Sequence, residues 1–157
     1  MNIEDKIKIE EIHKEIDLIQ SCINRMAKNS FMIKGWFVSI YAVVLALLPE
    51  KINILLVCIS LIAVNVLFWY LDGFFLRTEK VYRNIYQWVI EERGHNNRDL
   101  MYQLDPKLFK GKIKEVDNIR KVMVSNTLCC FYLIPLIIVV AVLIIYCWLK
   151  YLCPLIS

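Results

Sequence analysis

The chain has 157 residues, 59% of them hydrophobic, with 19 basic and 15 acidic side chains and a formal net charge of +4. Soluble proteins carry roughly 45–50% apolar residues, and the mean hydropathy here is +0.52. This composition argues against a soluble enzyme. The polar parts read as too short for a globular core of their own, so a single all-α membrane unit is expected.

In chain order, residues 1–30 read as a cytoplasmic amphipathic helix. Ile9, Ile12, Ile16, Ile19, Ile23 and Met26 follow the 3-4 spacing of a coiled-coil seam. Two readings of that seam stand: an oligomerisation helix, or a helix packed on the chain's own middle segment. The seam carries on into the first apolar run without a Pro, so one continuous helix is expected to enter the membrane. That run starts after about 30 mostly polar residues, unlike a cleaved leader.

Residues 31–72 read as a transmembrane hairpin. Phe31 to Pro49 and Ile52 to Leu71 are nearly free of charge, and each approaches the roughly 20 helical residues that cross a bilayer core. A turn at Leu48-Pro49-Glu50-Lys51 would set Lys34 opposite Asn65, and Arg25 or Lys28 opposite Asp72. The polar residues inside the spans, Lys34, Ser39, Ser60 and Asn65, are candidates for an ion path. Lys34 also reads as a snorkelling side chain. Phe68, Trp69, Tyr70, Phe74 and Phe75 form an interfacial aromatic belt.

Residues 73–121 read as a cytoplasmic helical segment. The second helix is expected to persist to Glu92, with Glu79 and Arg83 paired four residues apart. Arg77, Lys80 and Arg83 are possible ligand or partner contacts, or a solvated face. Residues 94–112 read as a loop, with a short helix at Pro106 to Phe109, and as the docking element for a soluble partner. Helix is expected again from Ile113 to Val124. Residues 122–152 read as a third transmembrane helix, carrying Pro135.

Five basic residues precede Phe31, and eleven lie between Asp72 and Ser125. Only Lys51 sits in the first turn, and only Lys150 follows Leu149. Basic residues stay on the cytoplasmic side, so the N-terminus and middle segment are expected inside and the C-terminus outside. Topology and attraction to anionic lipid account for the net charge, and direct nucleic-acid binding is not expected. The six cysteines form no CxxC pair, and neither a metal site nor a cofactor is expected. The adjacent Cys129 and Cys130 read as lipid-facing filler or as an acylation site. No Walker loop, GxGxxG, HExxH or GxSxG motif is present, which argues against an enzyme.

The stretch IxxxIDLIQSCINRMAKNSFMIKGW (Ile12 to Trp36), together with FWYLDGFFLRTEKVYRNIY (Phe68 to Tyr86), resembles small membrane proteins of bacterial antiviral operons. These are the SLATT class and the membrane accessory proteins of RADAR-type systems. The resemblance covers about residues 10 to 90 and rests on Arg25-Met26, Asn29-Ser30-Phe31, Lys34-Gly35-Trp36, Phe68-Trp69, Leu71-Asp72 and Arg83 to Tyr86. The third span departs from a plain two-helix plan. The resemblance implies an inner-membrane effector, silent until infection is sensed through a nucleotide messenger or a companion protein. Three functions are therefore weighed: a homo-oligomeric channel or pore, a membrane anchor for a soluble defence enzyme, and a nucleotide sensor using Arg77, Lys80 and Arg83 with Tyr82 or Tyr86.

Overall fold

The computed structural model describes residues 3–46 and 53–152. The expected turn at Leu48 to Lys51 lies outside them. The described chain is all-helical, with no strand among those residues. Four α-helices run in order: α1 (Ile3–Ala46), α2 (Ile54–Gly94), α3 (Ile119–Met123) and α4 (Asn126–Cys147). A 3-10 turn covers Pro106–Phe109, and a π-helical turn at Trp148–Leu152 continues α4.

Local chemistry explains the boundaries. Asn53 caps α2, its side-chain oxygen accepting from Leu55 N–H at 3.1 Å. At the other end Asn96 adopts a left-handed φ of 60°. Asn97 N–H then reaches Glu92 O at 3.0 Å and Asn96 N–H reaches Arg93 O at 3.1 Å, the paired bonds of a Schellman stop. Asp105 caps the turn that begins at Pro106 through Lys107 N–H at 3.0 Å. The short helix expected at Pro106 to Phe109 is present as this 3-10 turn.

Two expectations need correcting. Residues 113–118 are not helical, and the third long helix begins only at Asn126, after a break at Val124 and Ser125. Ser125 sits in extended backbone at the N-cap, a position that serine favours. The chain also divides into two compact units, where one was expected. The first comprises the described parts of 1–29 and 75–118, the second those of 30–74 and 119–157.

The first unit has its own apolar core of Ile19, Cys22, Tyr82, Ile85, Val89 and Phe109. Phe109, fully buried, meets Trp88 edge to face at 5.3 Å, and Tyr82 donates to Leu104 O at 3.2 Å. The loop that follows α2 is therefore a packed layer. Below it lies the Arg93–Glu15 ion pair, made at 2.8 and 2.9 Å with both side chains almost wholly buried. Arg93 also donates to the carbonyls of Asn97 (2.5 Å) and Asp99 (3.1 Å), and Glu15 accepts from Tyr102 N–H (3.0 Å). Leu100 and Tyr102 both hold positive φ, 56° and 62°. Bulky residues rarely do so, and the contacts to Arg93 and Glu15 hold the backbone there.

The second unit contains the apolar parts of the long helices. Three helices are long and apolar enough to cross a membrane, the pattern of a multi-pass membrane protein. The 22 residues of α4 extend about 33 Å, against a hydrocarbon core of about 30 Å. Val43, Leu45, Leu56, Ile59, Leu67, Ile138 and Ile144 are exposed, an outer surface suited to lipid. Inside, Phe37 is ringed by Tyr41, Phe68, Phe131 and Tyr132 at centroid distances of 4.5 to 6.0 Å. Ser30 meets Asp72 and Tyr41 meets Leu61, so α1 and α2 are antiparallel. Val139 packs with Cys58 and Leu61 while Tyr132 reaches Asp72, so α4 is antiparallel to α2. Gly73 permits a close approach to α3, since a Cβ there would lie 2.6 Å from Met123 Cγ.

Candidate functional site

Charge within an apolar helical unit is costly and marks function more often than bulk. In the second unit it centres on Asp72, which has no exposed surface. The carboxylate stands on α2, and the other two long helices, α1 and α4, supply donors to it. From α1, Lys34 Nζ lies 2.5 Å from Oδ2, and Ser30 Oγ bonds Oδ1. From α4, the Tyr132 hydroxyl donates to Oδ2 at 3.1 Å. Lys34 also donates to Ser30 Oγ at 2.9 Å, so ammonium, hydroxyl and carboxylate form a closed cycle. Two charges in a medium of low dielectric are tolerable only with such pairing and hydrogen bonding.

This geometry corrects the sequence-based register. Lys34 pairs with Asp72 rather than lying beside Asn65. Arg25 contacts Cys22 Sγ, one turn away on its own helix, and Lys28 is exposed. The hairpin is shifted by about one helical turn, and the shift places the one charge of the first run on the one carboxylate that borders the second.

Asn65, also fully buried, forms the second polar centre. Its amide donates to Tyr132 O at 3.1 Å and to Tyr41 Oη at 3.3 Å, and Tyr41 donates to Leu61 O at 3.1 Å. Among the described residues Asn65 Oδ1 has no hydrogen-bonding partner. Between Asp72 and Leu61, side chains of α1, α2 and α4 thus place polar groups along about 16 Å of helix. Beyond them the interior becomes apolar, with Cys58, Leu61 and Val139 buried together.

Of the four intramembrane residues singled out in sequence, Lys34 and Asn65 belong to this network. Ser39 and Ser60 do not, and both are exposed; Ser39 donates back to Gly35 O at 2.9 Å. Sequence reasoning missed Asp72, Tyr132, Tyr41 and Ser30 as site residues. The available signal was that Lys34 is the one charge within the first run and that Asp72 directly ends the second.

The seam residues divide between environments. Ile19 belongs to the core of the first unit, and Ile23 and Met26 pack against it. For those three the packing matches the second of the two readings, a helix packed on the chain's own middle segment. Ile12 and Ile16 are half-buried, and Ile9 is exposed.

The three basic candidates on α2 do not form one site. Arg77 donates to Asp117 O at 3.1 Å, beside a groove of about 470 Å³. Arg83 pairs with Glu79 at 2.8 Å, as expected, and lines a different groove of about 440 Å³ with Gln20, Asn24 and Tyr86. Lys80 is exposed. Tyr82 is buried in the core with its hydroxyl engaged, so it is not available to a ligand. The chain matches no family model, no curated protein and no solved structure.

Proposed function

We propose that this chain is a non-enzymatic, self-associating membrane effector. Several copies form a regulated conduction path across the bacterial inner membrane, and opening it in response to infection disrupts the membrane. The antiviral setting comes from the resemblance of residues 12–36 and 68–86. The N-terminus lies in the cytoplasm and the C-terminus in the periplasm, in line with the distribution of basic residues. A cytoplasmic signal, either a companion protein or a nucleotide messenger, controls the path.

The carrying observation is how α1 divides its faces in the second unit. One face is filled by the Phe37 cluster and the Asp72 network. The other exposes Gly35, Ser39, Ala42 and Ala46, with nothing within 4 Å of where a Gly35 Cβ would stand. Small residues at 4-3-4 spacing let membrane helices approach closely. The interior of each protomer is packed, so the path runs between copies, with the hydroxyls of Ser39 and Ser60 on the outer surface. A lumen this apolar closes by dewetting and stays shut at rest.

The test is the membrane potential of a bacterial host expressing the intact chain with its operon neighbours, followed by a voltage-sensitive dye during phage challenge. Depolarisation should follow challenge, and Gly35→Leu with Ser39→Leu should abolish it at an unchanged protein level. Protection that persists with no change in potential would overturn the conduction reading.

That second outcome favours a membrane anchor that docks a soluble defence enzyme. One observation supports it: the loop of residues 94–112 is built on the Arg93–Glu15 pair yet presents Tyr102 and Leu108 to solvent, at 40% and 47% exposure.

A further inference from the structure

We propose that the Lys34–Asp72 pair is a latch that holds α1 against α2 and α4, and that its release is the opening step. This inference rests on the conduction reading above and names the control of that same site.

The two partners are unequal. Asp72 has no exposed side-chain surface, whereas Lys34 keeps 23%. Lysine carries its charge on a flexible stem and can turn its ammonium toward water from within a span. Asp72 cannot follow, because Ser30 and Tyr132 hold its two oxygens from either side. Loss of the ammonium leaves a buried carboxylate facing only two hydroxyls, a state in which the old packing of α1 is no longer favoured.

The surrounding contacts identify the moving element. Trp69 Nε1 donates to Met123 O at 2.9 Å, and Asn65 donates to Tyr132 O at 3.1 Å. Beside them, Gly73 sits so close to Met123 that it has no room for a Cβ. Side chains of α2 therefore grip the backbone of α3 and α4. Within the second unit, the polar ties of α1 to α2 are made by the side chains of Ser30, Lys34 and Tyr41 on its 30–46 stretch. One of these, the Tyr41 hydroxyl on Leu61 O, ends on backbone; the charged tie, Lys34 to Asp72, is made by a flexible stem that can turn away. Within the second unit the contacts thus set an α2–α3–α4 body against the releasable 30–46 stretch of α1, with the ion pair between them. The same α1 carries the exposed small-residue face, so its release re-aims the surface through which copies meet.

The experiment compares wild type with Lys34→Met, Asp72→Asn, Tyr132→Phe and the charge reversal Lys34→Asp with Asp72→Lys. Each is expressed intact in the bacterial host, without phage, and scored by the voltage-sensitive dye. Circular dichroism and size in detergent confirm that each variant is folded. Lys34→Met should depolarise unchallenged cells at about ten times the wild-type rate, the scale set by a tenfold shift between two states. Tyr132→Phe should give a smaller rise, and the reversal should return the rate toward wild type. Folded Lys34→Met and Asp72→Asn proteins that stay silent, in a host where wild type depolarises on challenge, would overturn the latch.

A second readout separates this failure from failure of the conduction reading. Spin labels on non-natural residues at positions 38 and 67, both exposed, report the α1–α2 distance by pulsed resonance. If no protein conducts, lengthening in Lys34→Met upholds the latch and removes only the path. An unchanged distance overturns the latch.

Discussion

At the scale of the residue, the pairs Glu15–Arg93 and Lys34–Asp72 each bury a carboxylate and differ in surroundings. Glu15 and Arg93 are 2% and 4% exposed, and the guanidinium makes four hydrogen bonds, two to Glu15 and two to loop carbonyls. Arg93→Met leaves a buried carboxylate with one backbone donor, at a cost of about 3–5 kcal/mol. Thermal unfolding in detergent should show this loss, and amide exchange should rise over residues 96–102. Glu15→Leu combined with Arg93→Met should recover much of the stability, because no buried charge remains, but not the slow exchange of the loop. The hydrogen bonds that Arg93 donates to Glu15 raise its pKa above the ordinary value, and burial opposes this. A group raised in the folded state contributes fully below its unfolded pKa and loses that contribution only as pH climbs through the higher folded one. The guanidinium side of this pair should therefore add no pH dependence near neutrality. None of this pairing was legible in the sequence, because 78 positions separate the partners and either residue alone reads as a solvated helix charge. Lys34 and Asp72 were closer to legible. Each stood out as polar at the membrane, but an assumed turn centre set Lys34 against Asn65. The need to neutralise a buried carboxylate outweighs a register guessed from a turn.

At the scale of the element, hydropathy made the three spans legible, because about 20 apolar residues have few other uses. The continuity of α1 and the length of α2 followed from uninterrupted helical periodicity. The break between α3 and α4 was hidden inside a run from Val122 to Leu152 that is apolar enough to read as one helix. The overlooked signal was Ser125-Asn126, a serine of the type that N-cap positions favour, although its side chain makes no capping bond here. The break matters because it turns Met123 toward Gly73. A methyl group at Gly73 would meet Met123 Cγ at 2.6 Å with Met123 Cα only 3.8 Å away, so the side chain has little room to yield. Gly73→Ala should destabilise the second unit by about 1–3 kcal/mol, the range for overpacking a filled interface. Met123→Ala in the same protein should relieve most of that cost while losing the methionine's own packing. The checking measurement is a double-mutant cycle on thermal unfolding. Strict additivity of the two substitutions would mean that the close approach does not bear on stability.

At the scale of the whole molecule, orientation is the property that the conduction and anchor readings share. The proposed orientation rests on counting: five basic residues precede the first span, eleven lie between the second and third, and one follows the third. Asp and Glu contribute little to this bias, so the 15 acidic residues do not dilute it. Three crossings turn these counts into a testable layout. An alkaline phosphatase fused after Ser157 should be active in a bacterial host, because that enzyme matures only outside the cytoplasm. The same reporter fused after Asn118 should be inactive, while a fluorescent protein fused there should be bright. The third helix decides the matter. Its 22 residues, mostly apolar, suffice to cross, and Pro135 lies within it without ending it, as lipid-embedded helices tolerate. If the phosphatase is dark at Ser157 and dark at Asn118, α4 does not cross and the C-terminus shares the cytoplasm. Tyr132 would then have to reach Asp72 from a helix that turns back within the membrane. An active reporter at Ser157 with a dark one at Asn118 would instead fix α4 as a full crossing. It would also put the Asp72 end of the second span on the cytoplasmic side, the side from which the proposed control of Lys34 has to act.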